Sequence, residues 1–204
     1  MAYLNETRKV IFVHIYKTGG TTVRQVLAGV NHEISELGKG HEPAWLVQQI
    51  LDEDDRLDLW DDCFTFGIIR NPYEWLTSLY YHEERNAKNG ITLNAFIKEL
   101  KRSKFRKEIR AGFEYYNTQK SWLYEDGEQL VEAVFSFEEL EHCIDTLGLR
   151  LGEDFSEEVR ALYLNKAPNR PAGKRALDLL NDTSVKIINE LYAEDFEEFG
   201  YTMH

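Results

Sequence analysis

Hydrophobic and polar positions along this chain follow two periods, and they alternate. Val10-Ile11-Phe12-Val13-His14-Ile15 is a nearly continuous run of β-branched and aromatic residues, which predicts a strand buried on both faces. Lys17-Thr18-Gly19-Gly20-Thr21-Thr22 interrupts the run, and Val23, Val26, Leu27 and Val30 then recur at helical spacing. The segment therefore reads strand, tight loop, helix. Asn31 to Glu42 reads as a loop, and Ala44 to Leu51 as a helix with Trp45, Val47, Ile50 and Leu51 apolar. A second buried strand is expected over Phe64 to Ile69, running directly into Arg70. Asn71 is a good N-cap and Pro72 a good first helical residue, and Trp75, Leu76, Leu79 and Tyr80 supply that helix with a buried face.

Further on, Thr92 should cap a helix carrying Leu93, Phe96, Ile97 and Leu100. Val131 to Phe135 reads as another strand. Phe137 to Leu147 reads as a helix, with Ser136 as N-cap and Glu139 completing a capping box. Thr183 to Tyr192 is an amphipathic helix, followed by an aromatic tail to Tyr201 that should pack back on the core. Buried strands alternating with helices predict an α/β fold with a parallel sheet. At 204 residues, with no repeat, linker-like tract or boundary, the chain is expected to be a single domain over 1–204.

Charge narrows the range of partners. A formal net charge of −12 argues against nucleic acid, and it means that any site for a polyanion must concentrate its cations locally. Lys17 is one such cation. Lys101, Arg102, Lys104, Arg106, Lys107 and Arg110 form a basic cluster that reads either as solvated helix faces or as a place for an acidic acceptor. Asp52-Glu53-Asp54-Asp55 lacks further ligands at recognised spacing and reads as a solvated helix end, so no metal is expected. Cys63 and Cys143 are too few and too isolated for a disulfide framework or zinc site, which fits a reducing compartment. The first apolar run is only a strand long and lacks a cleavage site, and no run has the length to span a bilayer. The expectation is a soluble, cytoplasmic protein.

Two stretches carry candidate chemistry. In the first, a lysine, a glycine pair and two threonines open a helix whose N-terminus presents free donors and partial positive charge. Thr21 or Thr22 would cap it. Such a loop suits a phosphate or sulfate ester, or it is a plain turn with a solvated lysine. It lacks the G-x-x-x-x-G-K-[ST] order, because here the lysine precedes the glycines. In the second, Arg70 at a strand end and Ser78 on the following helix would converge on one anion, with the planar guanidinium forking onto it.

Together these stretches carry a resemblance. Ile15-Tyr16-Lys17-Thr18-Gly19-Gly20-Thr21-Thr22 resembles the 5′-phosphosulfate loop of the carbohydrate-type (Golgi-like, family 2) sulfotransferases, and Arg70-Asn71-Pro72-Tyr73-Glu74-Trp75-Leu76-Thr77-Ser78-Leu79-Tyr80 resembles their 3′-phosphate element. Weaker matches follow in order at Thr118-Gln119, Trp122-Leu123, Phe137 to Leu140, Leu164-Asn165-Lys166, Leu191 to Asp195 and Phe199-Gly200-Tyr201. Two departures stand out: Tyr16 where that family usually has proline, and Ser136 where an arginine is common.

The resemblance implies a P-loop-like sheet flanked by helices, in a soluble bacterial member of the family. It implies transfer of a sulfuryl group from 3′-phosphoadenosine 5′-phosphosulfate (PAPS) to an acceptor hydroxyl on a carbohydrate or small molecule, with no metal required. Lys17, Thr18, Gly19, Gly20, Thr21 and Thr22 would hold the 5′-phosphosulfate, Arg70 and Ser78 the 3′-phosphate, and Lys166 in a polar loop would close over the nucleotide. Lys17 would also be catalytic. For the general base, histidine is best matched near neutral pH, and six are present. His14 reads as a core residue, His32 has no chemical neighbour, His142 is a helix-surface position and His204 is terminal. His41, between Gly40 and Pro43, lies where the resemblance places a catalytic histidine; His82, one turn beyond Ser78, is the competing candidate. Two other classes stay open: a small-molecule kinase with a variant phosphate loop and Mg²⁺, and a non-catalytic nucleotide-binding module.

Overall fold

The computed structural model describes residues 2–28, 34–38, 40–82, 90–102, 108–110, 113–114, 116–155 and 170–204. In chain order, β1 (Ala2–Asn5), β2 (Val10–Val13), α1 (Gly20–Ala28), β3 (Ser35–Leu37), α2 (Ala44–Glu53), α3 (Asp58–Asp62), β4 (Phe64–Ile69) and α4 (Pro72–His82) come first. There follow α5 (Leu93–Lys101), the single turn α6 (Lys120–Leu123), β5 (Ala133–Ser136), α7 (Leu140–Leu151), α8 (Asp182–Leu191) and α9 (Ala193–Glu198). Backbone contacts divide the chain into two compact units, Met1–Ile69 with Ser121–Leu164 and Arg70–Lys120 with Asn165–His204.

The first unit is built on a mixed five-stranded sheet in the order β3-β1-β2-β4-β5. Its parallel part is β2, β4 and β5, in register Val13↔Gly67 and Gly67↔Val134. The expected parallel sheet is thus present in these three strands, and an antiparallel edge of β1 and β3 extends it. Neither of these two strands was expected. β1 is four buried residues, too short to show a period, and β3 presents Ser35 and Glu36 outward inside what reads as a loop. What makes β3 a strand is its backbone ladder to β1, which leaves no trace in side-chain pattern.

Every residue of β4 is buried, because both faces of the sheet are covered. On one face Phe12 stacks on Phe66 at 4.9 Å and Phe66 meets Phe135 edge-on at 5.9 Å, beneath Val23, Val26 and Leu27 of α1 and Ile144 and Leu147 of α7. On the other, Gly67 leaves its space to the Leu123 side chain. Asn5, fully buried, ties the end of β1 to α1 by donating to the Leu27 carbonyl at 3.1 Å. Cys63 and Cys143 are buried and free.

The second unit is helical. Asn71 caps α4 as expected, accepting from the N–H groups of Tyr73 at 3.0 Å and Glu74 at 3.4 Å, and Thr92 caps α5 through Ala95. Leu93, Phe96, Ile97 and Leu100 form the buried stripe of α5, and Ile187 and Ile188 that of α8. Trp75 meets Tyr192 edge-on at 5.7 Å, and Tyr73 packs on Phe196 at 5.1 Å, so the aromatic tail does return to the core of its unit. Lys101 pairs with Glu190 and Arg102 with Glu99, both as solvated pairs; the other four residues of the basic cluster lie outside the described side chains. Ser136 caps a 3₁₀ turn over Phe137–Glu139 through Glu138, not Glu139, because the first turn is tighter than an α-helix.

Candidate active site

In the first unit the loop after β2 folds back on itself before α1 begins. Lys17 has φ +64° and Gly19 φ +91°, so the chain turns left-handed twice in three residues. Glycine tolerates this freely, whereas lysine there carries strain of about 1 kcal/mol. Thr18, fully buried, donates its hydroxyl to the Ile15 carbonyl at 2.8 Å. Its hydroxyl hydrogen is therefore committed inside the loop and braces it. Helix α1 starts at Gly20, so Gly19 holds the cap position and neither Thr21 nor Thr22 caps it. Thr22 is buried and donates its N–H to Gly19 O at 3.0 Å, while Thr21 is exposed.

The two glycines are required by neighbours in this unit. A Cβ at Gly19 would stand 3.0 Å from the Phe137 ring, and one at Gly20 would overlap the His14 imidazole. Gly20→Ala is accordingly expected to cost about 1–3 kcal/mol by overpacking, read as a lower urea midpoint. An unchanged midpoint would mean that the His14 ring moves aside freely.

His41 lies against the same loop. Its Nδ1 is 2.8 Å from the backbone carbonyl of His14, and since a carbonyl only accepts, Nδ1 carries the hydrogen. The neutral ring therefore has its lone pair on Nε2. Edge-on contacts with the rings of His14 at 4.6 Å and Tyr16 at 4.4 Å fix the ring plane. Tyr16, the departure from proline, thus supports the histidine. Glu42, also buried, accepts from the Gly40 N–H at 2.7 Å and holds the loop's shape. Burial lowers the His41 pKa to about 4, against a smaller upward effect of the bond to His14. Burial first, then the nearby His41 and Lys17, hold His14 well below the usual histidine value.

In the second unit Arg70 is the residue that follows β4. Its guanidinium is 3.8 Å from the Glu74 carboxylate one turn along α4. Glu74 also accepts from Arg170 at 2.6 Å and from the Ala176 N–H at 2.7 Å. Burial pushes the Glu74 carboxyl up, but the bonds from Arg170 and Ala176 outweigh it and hold it below the usual value. One carboxylate thus gathers two guanidiniums, an arrangement suited to a dianionic phosphate because two positive charges face one negative. Ser78, one turn beyond Glu74, is buried. His82, at the last residue of α4, is exposed.

Behind Arg70 stands a buried polar chain. The Arg70 N–H donates to Gln119 Oε1 at 2.8 Å, and Gln119 Nε2 donates to the Arg70 carbonyl at 2.7 Å. Asp195 accepts from the N–H groups of Gln119 at 2.9 Å and Lys120 at 2.8 Å. Burial raises the Asp195 pKa to about 6 against these bonds.

Of the residues expected from sequence, His41 lies against His14 and Tyr16, which lead into the Lys17 to Thr22 loop of one unit, while in the other Arg70 precedes α4 and Ser78 lies two turns along it. Lys166 lies outside the described residues. Glu74, Gln119, Asp195 and Tyr16 had no assigned role. Glu74 was detectable from its i, i+4 spacing to Arg70, but a side-chain amide closing on a backbone forty-nine positions away has no local signature. Among the described residues no three metal-ligating side chains converge, and no helix is long and apolar enough to cross a membrane.

A left-handed loop opens a helix after one parallel strand, and the next parallel strand in the sheet runs into an arginine, all within an α/β architecture. The chain belongs to the sulfotransferase family, whose model matches residues 2–202. It is therefore a transferase of the sulfuryl class. No curated protein and no solved structure matches it.

Proposed function

We propose that this protein transfers a sulfuryl group from PAPS to an acceptor hydroxyl of a carbohydrate or small molecule. The observation that carries the reading is the His41 Nδ1 bond to the His14 carbonyl, because it presents a neutral base in the tautomer that accepts a proton on Nε2, three residues before Lys17 in the loop it leans on. The donor, when bound, supplies the sulfuryl group and a nucleotide leaving group. His41 takes the hydroxyl proton as the acceptor oxygen bonds to sulfur and the bond from sulfur to the 5′-phosphate oxygen breaks. Lys17 neutralises the charge gathering on that leaving oxygen. The loop residues Gly19 to Thr22, at the N-terminus of α1, hold the 5′-phosphate, and Arg70 with Ser78 holds the 3′-phosphate. Thr18 acts here through its backbone and Lys166 as a further cation over the nucleotide.

The test is nucleotide preference. Adenosine 3′,5′-bisphosphate should raise the melting temperature far more than 5′-AMP does. Arg70→Ala should remove about 1.5–3 kcal/mol of that preference, roughly 10- to 150-fold in affinity. Equal stabilisation by the two nucleotides, or a preference for a nucleoside triphosphate with Mg²⁺, would overturn the reading.

A further inference from the structure

We infer that Gln119 is a positioning residue that aims Arg70, and that Asp195 in turn sets Gln119. The inference rests on the proposal that Arg70 holds the 3′-phosphate.

The sheet ladder of β4 ends at Ile69, paired with Ser136, and α4 begins at Pro72. Arg70 therefore lies in the gap between two regular elements, where neither the ladder nor the helix fixes its backbone. Gln119 fills that role. Its amide both accepts from the Arg70 N–H (2.8 Å) and donates to the Arg70 carbonyl (2.7 Å), the paired hydrogen bonds that a neighbouring strand would make. This fixes where the Arg70 Cα–Cβ bond points, and with it the direction of the guanidinium. The Gln119 amide supplies both the donor and the acceptor that this pairing needs.

Gln119 is in turn held. It and Asp195 are both fully buried, and the two carboxylate oxygens accept separately from the Gln119 and Lys120 N–H groups. A buried carboxylate is costly unless it is fully hydrogen-bonded, so this chain of bonds is an expensive way to fold a turn. It is an economical way to hold one arginine still, since a planar fork binds phosphate well only when its angle is right.

The test is a double-mutant cycle on nucleotide preference, measured by calorimetry with adenosine 3′,5′-bisphosphate and 5′-AMP. Gln119→Ala should lower the preference for the bisphosphate about tenfold, the scale of one lost hydrogen bond to a charged group, with 5′-AMP affinity unchanged. In an Arg70→Ala background the same change should have no further effect on preference, because Gln119 acts through that side chain. Asp195→Asn should reduce the preference in the same direction and add little to Gln119→Ala. If Gln119→Ala does not fold, Gln119→Glu serves: it keeps the size and the acceptor but loses the donor, and should lower the preference about threefold. The inference is overturned if the Gln119 variants weaken both nucleotides equally, or if the effect persists undiminished beside Arg70→Ala. A wild-type protein with no preference would instead show that the assignment of Arg70 to the 3′-phosphate is wrong, and the inference would go with it.

Discussion

Replacing His41 by alanine is expected to slow sulfuryl transfer roughly 10²–10⁴-fold while adenosine 3′,5′-bisphosphate binds nearly as before. The expectation follows from geometry: Nδ1 is taken by the His14 carbonyl, the ring is wedged between His14 and Tyr16, and Nε2 is left as acceptor. His82, the competing base, is exposed at the end of α4. Wild-type turnover in His41→Ala with loss in His82→Ala would reverse the assignment.

The pH profile gives a second reading of the same residue. With its pKa lowered to about 4 by burial, His41 stays neutral in the free enzyme at pH 5, so the acid limb of kcat/KM that it governs should fall near pH 4 and not near 6.5. Stability carries the matching sign. The unfolded histidine takes a proton below about pH 6.5 and the folded one does not, so its contribution, up to about 3 kcal/mol, is complete above pH 6.5 and is lost as pH falls through 4. Asp195 works the other way: with a pKa raised to about 6, its contribution is complete below 3.8 and is lost as pH rises through 6. Between pH 4 and 6 the two oppose each other. His41→Ala should therefore make denaturation midpoints fall more steeply with rising pH over that interval than they do in the wild type.

The second large effect belongs to Lys17. Lys17→Ala should lower the transfer rate about 10²–10³-fold, the scale of losing a group that stabilises charge in the transition state, and should weaken binding of the bisphosphate product much less. Lys17→Arg should restore only part of the rate, since a planar fork does not replace a compact ammonium in a loop that turns left-handed at Lys17 and Gly19. The strained φ of +64° adds a separate signature. Lys17→Gly should be more stable than Lys17→Ala by about 1 kcal/mol, because glycine adopts that conformation without penalty, yet it should be equally slow. Full activity in any of the three variants would remove Lys17 from the mechanism.

What could be read from sequence was whatever repeats or caps locally. The Val10 and Phe64 runs, the stripe of α5 and the caps at Asn71 and Thr92 all show in residue type and spacing, and each is an element where expected. The Lys17 loop and Arg70 could be located the same way. What each atom does there was not legible. The Thr18 hydroxyl bonds to the Ile15 carbonyl and the His14 ring fills the space beside Gly20, and neither contact shows in residue type or spacing. Thr118-Gln119 and Leu191 to Asp195 were two unrelated matches until Gln119 and Asp195 proved to be bonded. Such long-range polar pairs arise only when the chain is folded, so no window of sequence displays them.

The division of the backbone has a consequence for how this protein can be made and cut. Each unit draws on two separated stretches of chain, with changes of unit after Ile69, Lys120 and Leu164. During synthesis, then, the sheet acquires β5 and α7 only after all of Arg70–Lys120 has emerged, and the helical unit waits for the last forty residues. No single cut yields a contiguous fragment containing either unit entire without part of the other. A nascent chain stalled before β5 would leave β4 as an uncovered strand edge, the kind of surface that recruits chaperones or pairs with a neighbour on the next ribosome.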